Sequence, residues 1–120
     1  MKRVLAVDDS TMIRVVVKKT LSTMGVQDVV EAEDGLKALE LFRTQQFDLV
    51  FSDWNMPNMT GLELVREIRK LNREVPIIMI TTEGSREKVV SAIQEGVNDY
   101  LVKPFTPVSL RSKLEKWVTE

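Results

Sequence analysis

The sequence contains no cysteine and no histidine. Without cysteine there can be no disulfide and no zinc–thiolate centre, and nothing in the chain argues against a reducing compartment, so a cytoplasmic location is expected. Without histidine the chain can carry neither a phosphohistidine nor a histidine general base. Any histidine chemistry must come from a partner. An excess of charge is missing too: 17 Lys and Arg stand against 18 Asp and Glu, a formal net charge of −1, which lacks the basic surplus of a nucleic-acid binder. No apolar run approaches membrane-spanning length, and the apolar stretch after Met1-Lys2-Arg3 is too short for a signal-peptide core. Neither a nucleic acid nor a membrane is expected as a direct partner. No linker, repeat or low-complexity segment divides the 120 residues, of which 43% are hydrophobic and 29% charged. That is an ordinary soluble composition for a single domain, residues 1–120, with its own core, no output domain and a monomeric state.

Short apolar runs alternate along the chain with helical patterns. Residues 3–7, 28–32, 47–52, 76–80 and 99–102 read as strands, short and rich in β-branched or aromatic side chains. The first helix follows Ser10, with Ile13, Val16, Val17, Leu21 and Met24 at helical spacing, and stops at Gly25, suited to the left-handed position past a helix end. The second is capped by Asp34 and sets Leu36, Leu39 and Phe42 on one face. The third opens with the capping box Thr60-Gly61-Leu62-Glu63 and buries Leu64, Val65, Ile68 and Leu71. A fourth spans residues 85–95 before Gly96, and a fifth runs from residue 106 with Leu110, Leu114, Trp117 and Val118 inward. Five alternations predict an α/β fold, a doubly wound five-stranded parallel sheet of order 2-1-3-4-5 with five helices on both faces.

In such a sheet, ligands bind at the carboxyl ends of the strands where the order reverses, between the first and the third. Those strands lead into Asp8-Asp9 and Asp53. Neighbouring strands lie about 4.8 Å apart, so these three carboxylates repel one another unless a hard cation lies between them, which points to Mg²⁺ and an aspartate nucleophile. Taken singly, each acid reads as a turn former or helix cap, and either Asp9 or Ser10 can cap the first helix. The fourth strand ends in Thr81-Thr82-Glu83 and the fifth in Lys103-Pro104, which adds a hydroxyl and a cation to the same edge. A phosphoryl group on Asp53 needs such donors and counter-charge on its oxygens.

Asp8-Asp9, the run Asp53-Trp54-Asn55-Met56-Pro57-Asn58-Met59, Gly61-Leu62-Glu63-Leu64, Thr81, and Tyr100 with Lys103-Pro104-Phe105-Thr106 together carry a resemblance. Over its whole length the chain resembles the receiver domain of two-component response regulators, most closely the single-domain chemotaxis regulators of the CheY type. The resemblance implies that Asp53 accepts a phosphoryl group from a CheA-like histidine kinase. It implies that Asp8, Asp9, Asp53 and the backbone carbonyl of Asn55 hold Mg²⁺, and that Lys103 and Thr81 contact the phosphoryl oxygens. A cis peptide before Pro104 is implied as well. Aspartate attacks as a carboxylate and needs no general base, so such a protein catalyses only its own phosphorylation and dephosphorylation.

Signalling in this family draws the threonine inward and turns an aromatic ring, here Thr81 and Tyr100. Asn55 and Glu83 resemble the pair that tunes dephosphorylation in the chemotaxis type, which implies a short-lived mark and acceleration by a phosphatase. Thr82, where a small residue is common, is expected to narrow access to the phosphorylation pocket. The docking face of the family offers Arg86, Lys88, Tyr100, Lys113 and Lys116, and the last two resemble lysines that meet the flagellar motor switch protein. A single-domain phosphorelay carrier or phosphate sink is the nearest alternative, since its chemistry is the same. An aspartate-nucleophile phosphatase of the haloacid-dehalogenase type needs a second acid where Asn55 stands, and a flavodoxin needs a phosphate loop that Asp8-Asp9 would repel.

Overall fold

The structure, a computed structural model, describes residues 2–82 and 85–118. Strands β1 (Arg3–Val7), β2 (Asp28–Ala32), β3 (Leu49–Asp53), β4 (Ile77–Thr81) and β5 (Asp99–Val102) alternate with helices α1 (Thr11–Thr23), α2 (Gly35–Thr44), α3 (Gly61–Leu71), α4 (Arg86–Glu95) and α5 (Pro107–Val118). All pairings are parallel, and the order is β2-β1-β3-β4-β5, as the alternation predicts. Because successive side chains of a strand face opposite ways, the sheet feeds two cores. Leu5, Val7, Val50, Ile77 and Met79 pack under α2, α3 and α4. Val4, Ala6, Phe51, Ile78 and Ile80 pack under α1 and α5 with Val17, Leu21, Leu110 and Leu114.

The helix starts are fixed by side-chain caps. The Ser10 hydroxyl, not Asp9, accepts from the Ile13 N–H, Asp34 accepts from the Lys37 N–H, and Ser85 accepts from the Lys88 N–H. At α3 both halves of the capping box form: Thr60 accepts from the Glu63 N–H, and Glu63 accepts from the Thr60 N–H. Gly25 and Gly96 leave α1 and α4 with φ of 85° and 109°, where a β-carbon would be strained.

Three expectations are corrected. β3 and β4 start later than residues 47 and 76 and end one residue further on, because the ladder continues through polar residues: Asp53 pairs with Ile80, and Thr81 with Val102. Pro76 has no N–H to donate and stays outside the strand. Leu36 and Leu71 are exposed at 51% and 54%, whereas Ala38 is buried. The buried stripe of α2 runs through Gly35, Ala38, Leu39 and Phe42 with Leu36 on its flank, and Leu71 is the final residue of α3. Trp117 is partly buried against the α1–α5 core rather than fully inward.

Candidate functional site

The site is built at the carboxyl ends of β1 and β3, the adjacent central strands at which the order of the sheet reverses. The Asp8 N–H donates to the Ala32 carbonyl at 3.1 Å, so the residue after β1 is still held by the sheet, and its Oδ1 accepts from the Ser10 N–H at 2.9 Å. Arg14, on the first turns of α1, clamps this corner: it donates to the Asp8 carbonyl and pairs with Glu31 at 3.0 Å. Nothing in the sequence marks Arg14, because an arginine on a helix ordinarily reads as a solvated charge. Asp53 is the last residue of β3, and its Oδ1 accepts from the Trp54 N–H at 2.8 Å. Behind it α3 comes so close that a β-carbon on Gly61 would stand 2.2 Å from the Asp53 carbonyl oxygen. The Gly61 N–H instead donates to the Trp54 carbonyl at 2.7 Å. The intervening loop is tied to α2 as well, since Asn58, with φ of 70°, donates to the capping residue Asp34 at 3.1 Å.

Asp8, Asp9 and Asp53 each bring a carboxylate oxygen within 4.8 Å of the others; Asp9 is exposed while the other two are buried. Lys103 Nζ lies 3.2 Å from Asp8 Oδ2 and 3.4 Å from Asp53 Oδ2. The lysine is aimed by its own backbone, whose N–H donates to the Thr81 carbonyl at 2.7 Å, and the Lys103–Pro104 peptide is cis. One ammonium does not balance this site. Burial raises the Asp8 carboxyl above its ordinary value against the pull of the Ser10 N–H and Lys103, and burial and the Asp8 charge raise Asp53. Asp8 Oδ2 is moreover buried, with the Lys103 ammonium as its ionic partner. A buried carboxylate oxygen met only by a lysine shared with Asp53, beside two further acids, is a donor set that suits a hard divalent cation.

Thr81 is buried at the end of β4 and, with Trp54, Asn55 and Lys88, lines a cavity of about 40 Å³. That is room for roughly one water between Thr81 and the Trp54-Asn55 segment that follows Asp53. Lys88, exposed on α4, holds its Nζ 5.3 Å from the centre of the Trp54 ring, which links this lysine to the residue that follows Asp53. Thr82 is exposed and lines a different, apolar hollow between α1 and the Lys103–Pro107 turn, with Met12, Ile13, Val16 and Phe105. Glu83 lies outside the described residues.

The profile of the response regulator receiver domain matches residues 4–115. The chain belongs to that family. Chemotaxis protein CheY1 of Helicobacter pylori is 51% identical over 116 residues, 94% of each chain, and a CheY homolog of Campylobacter jejuni is 47% identical over 94% of this chain and 89% of that one. Among solved structures, Vibrio cholerae CheY4 superposes with a TM-score of 0.90 at 43% identity, over 98% of both chains. The receiver domain of a Pseudomonas aeruginosa sensor histidine kinase, solved with a magnesium ion coordinated in its active-site cleft, gives a TM-score of 0.86 at 30% identity, over 99% of this chain and 98% of that one.

In this receiver domain, the residues expected on a docking face divide. Arg86 is exposed at the start of α4, and Tyr100 is half-buried on β5 against the α2–α4 core. Lys113 is not the solvated cation its place on a helix suggests: its Nζ donates to Asp99 Oδ1 at 2.8 Å and stands 5.4 Å from the centre of the Tyr100 ring. Lys116 reaches Asp99 Oδ2 only at 4.0 Å and lies over the Trp117 ring. Trp117 donates its indole N–H to the same carboxylate at 3.0 Å. Asp99 was not foreseen, because an acid at the start of a strand reads as a boundary residue.

Proposed function

We propose that this receiver domain is a chemotaxis response regulator that takes a phosphoryl group onto Asp53 and signals through the altered surface. The observation that carries the reading is the convergence of Asp8, Asp9, Asp53 and Lys103, in which one ammonium at 3.2 Å and 3.4 Å serves two buried carboxylates. The family membership supports the phosphohistidine of a histidine kinase as the donor, and with no histidine in this chain that group is supplied by a partner. An Asp53 carboxylate oxygen forms the new bond to phosphorus as the P–N bond to the imidazole breaks, which leaves an acyl phosphate on the protein. Asp8, Asp9, Asp53 and the Asn55 carbonyl hold Mg²⁺, which when bound offsets the negative charge of acids and phosphoryl oxygens. Lys103 turns its ammonium, now shared between Asp8 and Asp53, toward a phosphoryl oxygen, and the Thr81 hydroxyl donates to another. The small cavity by Asn55 admits the hydrolytic water, and Glu83 joins Asn55 in setting how fast the mark is lost, with or without a phosphatase.

The movement of Thr81 makes room for the Tyr100 ring to turn inward. The resulting face around β5, with Arg86, Lys113 and Lys116, docks the flagellar motor switch protein. The names of the chemotaxis relatives support this partner. Trp54 adjoins the site and supplies the test. Mg²⁺ and then beryllofluoride are expected to change its fluorescence in the native chain and to give no beryllofluoride response in Asp53→Asn. An equal response in the variant, or none in the native protein, defeats the reading. Binding of a motor-switch N-terminal peptide with and without beryllofluoride then separates motor docking from a relay or phosphate-sink role.

A further inference from the structure

β5 is an edge strand, so nothing beyond it separates the two faces of the sheet. Asp99 and Tyr100 are consecutive on it and face opposite ways: Tyr100 packs with the α2–α4 core, and Asp99 meets Lys113 and Trp117 of α5. In the interior of a sheet two such residues have no common neighbour. Here Lys113 reaches around the edge and touches both, with its ammonium at 2.8 Å from Asp99 Oδ1 and 5.4 Å from the centre of the Tyr100 ring. The other oxygen of Asp99 accepts from the Trp117 indole, and Oδ1 also takes the Tyr100 N–H at 2.9 Å. One carboxylate, only 7% exposed, therefore fixes the strand residue, the lysine and the tryptophan together.

We propose that Asp99 and Lys113 form a relay around the sheet edge that carries the position of the Tyr100 ring to α5 and Trp117. The inference rests on the reading above, in which phosphorylation turns Tyr100. When the ring leaves, Lys113 loses the electron-rich face beneath it and keeps only its carboxylate partner. Its ammonium resettles on Asp99, and the hydrogen bond from Trp117 to the same carboxylate changes with it. Asp99 is thus a positioning residue: it touches no reacting atom, and it decides how much of the α5 cationic charge faces outward in each state. In the resting state Lys113 and Lys116 both gather at this one acid. A partner with acidic side chains meets them only as that grouping alters.

The two tryptophans make the relay observable, because Trp54 lies at the site and Trp117 at its far end. In ¹H–¹⁵N spectra, Mg²⁺ with beryllofluoride is expected to shift both indole N–H signals of the native protein. Lys113→Met cuts the link to Tyr100 while leaving Trp117 its acceptor, and Asp99→Asn keeps an acceptor for Trp117 without the charge that holds Lys113. Both variants are expected to retain the Trp54 shift and lose the Trp117 shift, and Lys113→Arg, which still pairs with Asp99 and stacks on Tyr100, is expected to restore it. A Trp117 signal that stays still in the native protein while Trp54 moves overturns the relay, as does an undiminished Trp117 response in both variants. If Trp54 also stays still, the receiver reading itself fails and the relay with it.

Discussion

Asp8 gives one oxygen to the Ser10 N–H and leaves the other buried beside Lys103 and Asp53, so the folded chain carries an acid that it has stripped of water without fully compensating it. Its folded pKa is raised, as is that of Asp53. A carboxyl raised above the 3.8 of the unfolded chain adds stability only below that value and loses it as pH rises through the folded one. Metal-free Asp8→Asn is therefore expected to be more stable than the native chain at neutral pH in urea unfolding, and to lose the stabilisation by Mg²⁺. A native chain that is the more stable of the two without metal would sink this account. The acids, Thr81 and Lys103 were legible because each follows a strand-like run at a predictable edge. Asp99 was not, since its partners Lys113 and Trp117 lie 14 and 18 residues away and only the packing of α5 brings them together.

Among the elements, α3 does the most to place the site, since its first turn stands directly behind Asp53. Its start depends on the reciprocal Thr60–Glu63 cap, and the hydrogen bonds with Thr60 hold the Glu63 carboxyl below its usual range. Thr60→Ala is expected to cost about 1 kcal/mol in thermal or urea unfolding. It should also weaken the Mg²⁺ response of Trp54, because the loop from Trp54 to Thr60 loses one of its anchors; an unchanged Mg²⁺ affinity would show that the helix start and the site are independent. Helices and caps were readable because a cap is a local motif, with donor and acceptor three residues apart. The ends of β3 and β4 were less so. Side-chain polarity falls off at Asp53 and Thr81, but backbone pairing with Ile80 and Val102 does not, and pairing is set by the neighbouring strand.

For the molecule as a whole, two sets of carboxyls give opposite pH dependences. Burial opposes the charge of Asp99, but hydrogen bonds from Lys113, Trp117 and the Tyr100 N–H outweigh it and hold its pKa below 3.8. It therefore stabilises the fold above that pH and ceases to as pH falls through the lower folded value. Asp99→Asn is expected to lose about 1 kcal/mol at neutral pH, a figure reduced for partial exposure of the lysine, and the deficit should vanish in acid. A deficit that is constant with pH would mean that packing, not charge, is what the substitution removes. Mg²⁺ acts on the other set: at a hundred times its Kd it should raise unfolding stability by about 2.7 kcal/mol, and by nothing once Asp53 is replaced. The order of the sheet was legible because a doubly wound sheet of five strands commonly adopts 2-1-3-4-5, while the two-sided character of β5 arises only once α5 packs against the sheet edge. Gly61 shows how far function here depends on shape as well as charge. Any side chain at that position must push α3 off the end of β3 or displace the Asp53 and Trp54 backbone. A chain retaining every acid, the threonine and the lysine can therefore be silenced by one added methyl group, and an inventory of its charged residues would still report it as competent.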